Sequence, residues 1–375
     1  MTELSIQDEL TSELEKIEVL ITEKEVKMEK KKLGVLLCGI CLLLTFPTLP
    51  FIISAGSAAE KPIELKVSHF WPPASAQNDH MLRWKKKLEA DSEGRLTIRI
   101  FPSGTLLKPT LEWEGLIKGV TDILYGVRLD PEGGEFNGKL CLFTTGGAGA
   151  TMGGKLLYDL YNEFEVYRAQ WRDVKFLWLS AAGPTLIHSR KAIRKLEDMK
   201  NLQMRVPPTN IGVELNKLLG STPVTMPMSE VYMALQKGIV DGAVGPYEVL
   251  KSFRLTDVTR YTTDAYLYLS LGHHVSINLD AYNKLPVDLR KVLTDSAEWG
   301  KQDSWKMYDT IDTESIEYAK EKGHEFISLA PSERERWQAV IKPLQDRIAA
   351  DLDAKGYPGT KLKDFIIQRI KDYSK

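Results

Sequence analysis

The chain has 375 residues, of which 43% are hydrophobic, and a formal net charge of -1 at pH 7. This length and apolar content suit two or three domains with buried cores. A nearly neutral chain without a basic, aromatic-rich patch gives no reason to expect nucleic acid as a partner. Cys38, Cys41 and Cys141 form no zinc or disulfide pattern, since the first two lie inside an apolar run.

The first 59 residues have the pattern of an export leader. Residues 1–27 are a charged extension, and Met28, directly before a lysine cluster, is an alternative start. An apolar run at 33–53 and small residues at 55–59 complete the order that is typical of a signal peptide. The run is also long enough for an uncleaved membrane anchor. Two prolines and the small-residue site favour cleavage after position 57 or 59 and a periplasmic protein.

The next segment predicts a β-α-β-α-β series. Alternating apolar residues indicate strands at 64–71, 96–100 and 122–126, and helical spacing indicates helices at 77–90 and 111–118. Such short strand-helix-strand units imply parallel strands with right-handed crossovers.

Four residues follow the ends of these strands. Ligands of open α/β sheets bind outside the carboxyl ends of the strands, so His69, Trp71, Tyr125 and Arg128 are expected to reach a cleft. The alternatives are core packing for Trp71 and Tyr125, structural hydrogen bonding for His69 and a solvated loop position for Arg128.

Residues 129–156 are rich in glycine, which invites a phosphate-loop hypothesis. The required G-x-x-x-x-G-K-[ST] pattern is missing, so that hypothesis is weak. Apolar strands are predicted at 175–182 and from 185 to 188, and the Thr185 hydroxyl is a candidate hydrogen-bond donor to a ligand.

The stretch from Met204 to Tyr247 predicts a second β-α-β-α-β series. Its strands are expected at 202–206, 223–225 and 239–242, with helices at 210–219 and 230–237. Arg205 therefore lies at the end of a strand and before a helix N-terminus, where a guanidinium suits a carboxylate. A structural salt bridge or a solvated arginine is the alternative.

The runs M-R-V-P, L-L-G-S-T-P-V and M-S-E-V-Y-M-A-L-Q-K-G-I-V-D-G in this stretch resemble the DctP-like solute-binding proteins of tripartite ATP-independent periplasmic (TRAP) transporters. The resemblance extends from about Ile63 into the C-terminal helices. It implies that Arg205 grips the carboxylate of an organic acid. It also implies small and large integral membrane subunits as partners.

Two cleft positions depart from the family's pattern. After Gly183 the chain reads Pro184-Thr185, where the sialic-acid binders carry a second arginine, and residues 243–245 lack the usual acidic or amide residue. The absence of these polar side chains indicates a ligand that has fewer hydroxyl groups than a sugar acid. Its body is expected to be apolar or aromatic. Tyr247 is a candidate wall of that site.

The C-terminal part predicts long helices. A helical tract runs from 285 to 322, the counterpart of a spine helix that crosses both domains in the family, and another begins at Pro331. His273 and His274 are neighbours in a strand and point to opposite faces, so they cannot share a metal. Motifs of catalysis, such as G-x-S-x-G or H-E-x-x-H, are missing.

The sequence thus predicts an α/β, two-domain, type II-like periplasmic binding protein with a long helix spanning both domains. Domain I is expected at 62–183 and 272–310, and domain II at 184–271 and 311–375. The expected function is that of a receptor for a small organic acid, without a cofactor, a metal or enzymatic activity. A secreted or membrane-tethered enzyme acting on a carboxylate, and a sensor that never transports, remain alternatives.

Overall fold

The computed structural model describes residues 61–130, 132–147 and 149–375. The predicted extension, the alternative start at Met28, the signal peptide and Cys38 and Cys41 lie outside the described residues. Within the described part, no helix is both long and apolar enough to cross a membrane.

Eleven strands in the described residues form two sheets. In chain order they are β1 (Ile63–Ser68), β2 (Leu96–Phe101), β3 (Ile123–Val127), β4 (Val174–Ser180), β5 (Leu186–Ser189), β6 (Gln203–Val206), β7 (Thr222–Thr225), β8 (Gly242–Gly245), β9 (Tyr261–Thr263), β10 (His273–Asn278) and β11 (Glu325–Ile327).

Twelve α-helices connect and cover these strands in the same described ranges. They are α1 (Ala76–Asp91), α2 (Glu112–Ile117), α3 (Gly133–Leu142), α4 (Ala150–Glu163), α5 (Glu165–Ala169), α6 (Asn210–Leu218), α7 (Met228–Gln236), α8 (Val249–Ser252), α9 (Leu279–Lys284), α10 (Val287–Glu321), α11 (Pro331–Ala354) and α12 (Gly359–Tyr373).

The first sheet has the strand order β2-β1-β3-β10-β4. Strands β1, β2 and β3 are parallel, as the sequence predicts, and β10 pairs antiparallel with both β3 and β4. Leu65 and Val67 alternate with more exposed neighbours and are buried against the core. The apolar residues of β1 therefore lie on the face of the strand that packs against the core.

The second sheet has the strand order β11-β9-β5-β8-β6-β7. Strand β6 pairs parallel with β7 and with β8, which confirms the predicted parallel arrangement of this stretch. The predicted position of β8 is wrong by about three residues. Ile239 and Val240 precede the strand, which begins at Gly242; Ile239 is exposed and Val240 is buried. The prediction was misplaced because the strand itself consists of small residues that show little apolar pattern.

The glycine-rich segment forms helices α3 and α4 rather than an anion-binding loop. Gly154 faces the Trp305 ring so closely that a Cβ there would lie 2.4 Å from a ring atom, and a Cβ on Gly153 would lie 2.5 Å from that of Ala181. These glycines thus permit close packing of a helix on its neighbours.

Helix α10 is the predicted long spine. Near its start Ser296 accepts a hydrogen bond from Trp84 of α1, and further along Trp305 donates to the carbonyl of Leu179 in β4, both at 3.0 Å. Towards its end Glu314 pairs at 2.6 Å with Lys251 of α8, which lies on the side of the second sheet. One helix therefore packs against elements of both sheets.

The chain leaves the first sheet after Ser180 and returns to it at His273, where β10 begins. It later adds β11 to the second sheet. Contacts between the described residues group them into one compact unit. The proposed boundaries at 183/184, 271/272 and 310/311 stay a prediction.

Candidate functional site

A half-open cavity lies where strand ends and loops of the two sheets meet. Trp71 and Arg128 follow β1 and β3 of the first sheet and line one part of it. Arg205, at the end of β6, and Thr185, before β5, line it from the second sheet. Four of the seven predicted site residues therefore share one cavity.

Arg205 is held by the neighbouring strands. Its Cα pairs with Val224 on one side and with Ala243 on the other. Nε donates to the carbonyl of Met226 at 2.9 Å, and Nη1 donates to the carbonyl of Val244 at 3.2 Å. Both bonds use main-chain atoms, so the direction of the guanidinium is set by the sheet itself.

The charge of Arg205 is buried without a carboxylate partner. Its side chain is 4% exposed, and no acidic residue of the described ranges forms an ion pair with it. Burial lowers the pKa of Arg205 to about 10, and the neighbouring Tyr268 side chain offsets part of this shift. An unpaired buried cation is costly, so this position favours a bound anion.

Thr185 and Tyr268 lie beside Arg205. The amide of Thr185 donates to the carbonyl of Tyr268 at 2.7 Å, and the Tyr268 side chain also lines the cavity. Burial raises the pKa of Tyr268, while the charge of Arg205 and a hydrogen bond with the Thr185 side chain lower it. Tyr268 was not predicted, because it lies in the irregular segment between β9 and β10, where no periodicity marks it.

Trp71 is part of the core and also lines the cavity. Its side chain is 1% exposed, and its ring centroid lies 4.0 Å from that of Phe70 and 4.5 Å from that of Tyr125. Phe70 and Phe253 line the cavity as well, with ring centroids 6.4 Å apart. An aromatic wall therefore continues from β1 to the segment after α8.

Arg128 lines the cavity but already has its own carboxylate. Nε and Nη2 donate to Oδ1 and Oδ2 of Asp130 at 2.5 and 2.8 Å, and Nη1 donates to the carbonyl of Gln170 at 2.6 Å. The guanidinium also lies 3.5 Å above the Trp113 ring. Each of its three nitrogens thus donates a hydrogen bond within the protein, which supports a structural role, and its predicted contact with a ligand stays a prediction.

The other three predicted site residues are not among the residues that line the cavity. Tyr125 is fully buried behind Trp71, and its hydroxyl lies 3.0 Å from that of Tyr308. His69 is buried with Nε2 3.2 Å from Asn78, and burial lowers its pKa to about 4. The prediction of direct ligand contact needs correction for both, since each points into the core.

Tyr247 follows β8 but turns away from the cavity. It is partly buried, and its ring centroid lies 6.1 Å from that of Phe326 in β11. The next residue, Glu248, lines the cavity instead. Of this turn, Pro246 and Glu248 line the cavity and Tyr247 does not, so its role as a wall of the site stays a prediction.

Glu248 is a further polar group of the site that the sequence analysis missed. It is 3% exposed, and its Oε2 has no hydrogen-bond partner in the described part of the chain. Burial raises the pKa of Glu248 to about 7, although Ser252, Gln77 and Trp71 lower it in part. Its position directly after the end of β8 is the signal that could have identified it.

The two neighbouring histidines of β10 face different surroundings. His273 lines the cavity with Nδ1 2.7 Å from the Tyr308 hydroxyl, and burial lowers its pKa to about 3. His274 lies with Nδ1 2.8 Å from the Ser276 hydroxyl. Among residues 61–130, 132–147 and 149–375, no group of acidic, cysteine or histidine side chains is arranged to hold a metal.

A cavity between two α/β sheets, lined by the buried guanidinium of Arg205 and by an aromatic wall, is the arrangement expected of a solute-binding protein. The chain belongs to the DctP family, bacterial extracellular solute-binding protein family 7, whose sequence model matches residues 67–351. Its relatives are solute receptors of TRAP transporters, which are not enzymes.

Three relatives illustrate the similarity. The C4-dicarboxylate-binding periplasmic protein DctP of Rhodobacter capsulatus is 25% identical over 336 residues, which is 84% of this chain and 94% of the relative. A TRAP periplasmic solute binding protein from Desulfovibrio salexigens is 28% identical, with a TM-score of 0.68 and coverage of 83% and 96%.

The third is a marine metagenome TRAP solute binding protein specific for aromatic acid ligands, whose crystal structure contains metahydroxyphenylacetate. It is 25% identical to this chain, with a TM-score of 0.75, and the match covers 84% of this chain and 100% of that one.

Proposed function

We propose that the protein is the periplasmic receptor of a TRAP transporter for a small aromatic monocarboxylate, with Arg205 pairing the carboxylate. The observation that carries this proposal is the buried guanidinium of Arg205, which bonds only to main-chain carbonyls among the described residues. A ligand carboxylate would supply the missing negative charge and use the planar donor fork.

The aromatic wall supports an aromatic body for the ligand. Phe70, Trp71, Phe253 and Tyr268 line the cavity, and the second arginine, Arg128, is already neutralised by Asp130. Among the described residues that line the cavity, only Arg205 is a cation without a carboxylate partner, so a dicarboxylate would leave its second charge buried without a partner. The metagenome relative, which binds metahydroxyphenylacetate, is consistent with this class.

Binding is expected to close the two sheets around the ligand. Groups from both sheets line the cavity, so a ligand that touches Trp71 and Arg205 together favours the closed arrangement. The closed receptor would then deliver the acid to the small and large membrane subunits of the transporter. The seven-residue site prediction is thereby narrowed to Arg205, Thr185 and Trp71 as ligand contacts.

Isothermal calorimetry with benzoate and phenylacetate tests the proposal, after mass spectrometry of any acid that is released by denaturing the purified protein. Arg205→Ala should weaken the binding of the acid by about thirty- to several-thousand-fold, since a desolvated charge pair costs roughly 2–5 kcal/mol to break. Arg205→Lys should recover only part, because an ammonium cannot form the bidentate fork.

The matched control is Arg194→Ala, which removes an exposed arginine from the connection between β5 and β6. It should bind as the wild type does. Binding by folded Arg205→Ala within threefold of the wild type would show that Arg205 is structural, and the proposed role of Arg205 would be wrong.

A further inference from the structure

The cavity that Arg205 lines is also lined by a carboxyl group, that of Glu248. This group would not attract the carboxylate of a ligand, so it calls for a different explanation. Glu248 lines the cavity at 3% exposure, and no hydrogen bond to its Oε2 is found among the described residues. A buried polar atom without a partner is costly and unusual. Oε2 of Glu248 is therefore able to form a further hydrogen bond inside the cavity.

Three side chains face Glu248 as hydrogen-bond donors. Ser252, Gln77 and Trp71 lower its pKa in this way, and the hydroxyl of Ser252 and the amide of Gln77 have no closer partner in the described ranges. On the side of the spine helix, the neighbouring acid is Asp312, whose pKa is raised to about 8 by burial and then by Glu248 and Asp309. This part of the cavity carries acidic and neutral polar groups, and the pKa of Glu248 is not shifted by any lysine or arginine.

Glu248 and Arg205 line the cavity from different positions of the second sheet, Arg205 at the end of β6 and Glu248 after the end of β8. The pKa of Arg205 responds to burial and to Tyr268, and that of Glu248 responds to burial, Ser252, Gln77 and Trp71. The internal bonds of Arg205 go to main-chain carbonyls, so Glu248 is not its counter-charge. Glu248 lies at the side of Trp71, where the aromatic wall would hold the body of the ligand.

We propose that Glu248 is a specificity-determining residue that hydrogen-bonds a hydroxyl group on the aromatic body, so that the solute is a hydroxylated aromatic monocarboxylate. This inference rests on the proposed function, which places the carboxylate at Arg205. A neutral hydroxyl fits better than an ammonium group, because it satisfies Glu248 without burying a second ion. A carboxyl group kept neutral by burial both donates and accepts, and a phenolic hydroxyl matches either role.

Calorimetry with matched acids tests this proposal. Benzoate and phenylacetate are compared with their meta- and para-hydroxy derivatives on the wild type, Glu248→Leu and Glu248→Gln. In the wild type, at least one hydroxy acid should bind about tenfold or more tightly than its parent. Glu248→Leu should reduce that gain to within threefold, and Glu248→Gln should keep part of it, because an amide also donates and accepts.

Two controls make the outcome specific. Glu335→Gln changes an exposed glutamate on α11 and should keep the full gain. Para-aminomethylbenzoate carries an ammonium group, and tighter binding of this compound than of every hydroxy acid would overturn the proposal.

The remaining outcomes separate the two proposals. If the parent acids bind and depend on Arg205, but the hydroxyl gain is missing in the wild type or persists in Glu248→Leu, only the role of Glu248 is wrong. If none of the acids binds the wild type, the proposed function fails and the inference on Glu248 fails with it.

Discussion

Arg128 and Asp130 form a bidentate pair at the edge of the cavity, with Nε–Oδ1 and Nη2–Oδ2 distances of 2.5 and 2.8 Å. The Arg128 side chain is 4% exposed and that of Asp130 is 15% exposed. This pair distinguishes the two arginines of the cavity. Arg128 carries its own counter-charge, whereas Arg205 reaches the cavity with none among the described residues.

We expect Asp130→Ala to destabilise the fold rather than to change ligand specificity. The substitution leaves the buried guanidinium of Arg128 without its carboxylate, at a cost of about 3 kcal/mol. Urea unfolding measures the loss. Asp288→Ala, which breaks the exposed pair with Arg95, is the control and should shift the midpoint little. Equal midpoints for the two variants would contradict the prediction.

Arg205→Met should leave the ligand-free protein as stable as the wild type or more stable. Burial lowers the pKa of Arg205 to about 10, which reflects the cost of a buried charge that methionine does not carry. Thermal unfolding with and without the identified acid checks this. At a hundredfold excess over the wild-type Kd, the wild type should gain about 2.7 kcal/mol and the variant should gain less than about 1 kcal/mol. A large loss of stability without ligand would assign Arg205 to the structure.

Glu248 should make the stability of the protein dependent on pH. Its pKa rises from an ordinary value near 4.3 to about 7 on burial, so the folded chain holds this proton more tightly than the unfolded chain. Stability therefore falls as pH rises between these two values, and the full cost is present above about pH 7. The raised pKa of Asp312, about 8, acts in the same direction.

Urea unfolding of the wild type and Glu248→Gln between about pH 5 and pH 8 tests that dependence. The two should be equally stable near pH 5, and the variant should gain about 3 kcal/mol over the wild type near pH 8. Parallel profiles across this range would mean that Glu248 is not buried as a neutral acid.

Closure on ligand binding should be visible by small-angle X-ray scattering. The radius of gyration should decrease when the right acid is added, because Trp71 and Arg205 belong to different sheets and both would contact it. Arg205→Met should show no change at the same acid concentration. An unchanged wild-type profile at saturation would contradict hinge closure.

The N-terminal leader should be removed on export. The basic segment, the apolar run at 33–53 and the small residues at 55–59 form a cleavable signal, so the mature chain should begin near Ala58 or Glu60. Intact mass and N-terminal sequencing of the protein from a periplasmic extract measure this directly. Recovery of residues 33–53 in the membrane fraction would favour the anchor.

The sequence by itself determined the two β-α-β-α-β series and the parallel direction of their strands. Alternation in β1 and helical spacing in α6 and α10 are local patterns, and the short connections within each series leave only parallel strands with crossovers. The position of Arg205 at a strand end was likewise predicted from local sequence, because a few consecutive residues are enough to recognise it. The antiparallel pairing of β10 and β5 joins distant segments and came from the structure alone.

Only the tertiary structure decided which polar groups have partners. Arg128 and Arg205 are the same residue type at corresponding strand ends, and the fold supplies Asp130 and the Gln170 carbonyl to one and main-chain carbonyls alone to the other. The burial of Glu248 was hidden in the same way, since Trp71 and Gln77 lie far away in the chain. Pairing and desolvation depend on which distant segments meet, and this is the physical reason that local patterns could not predict them.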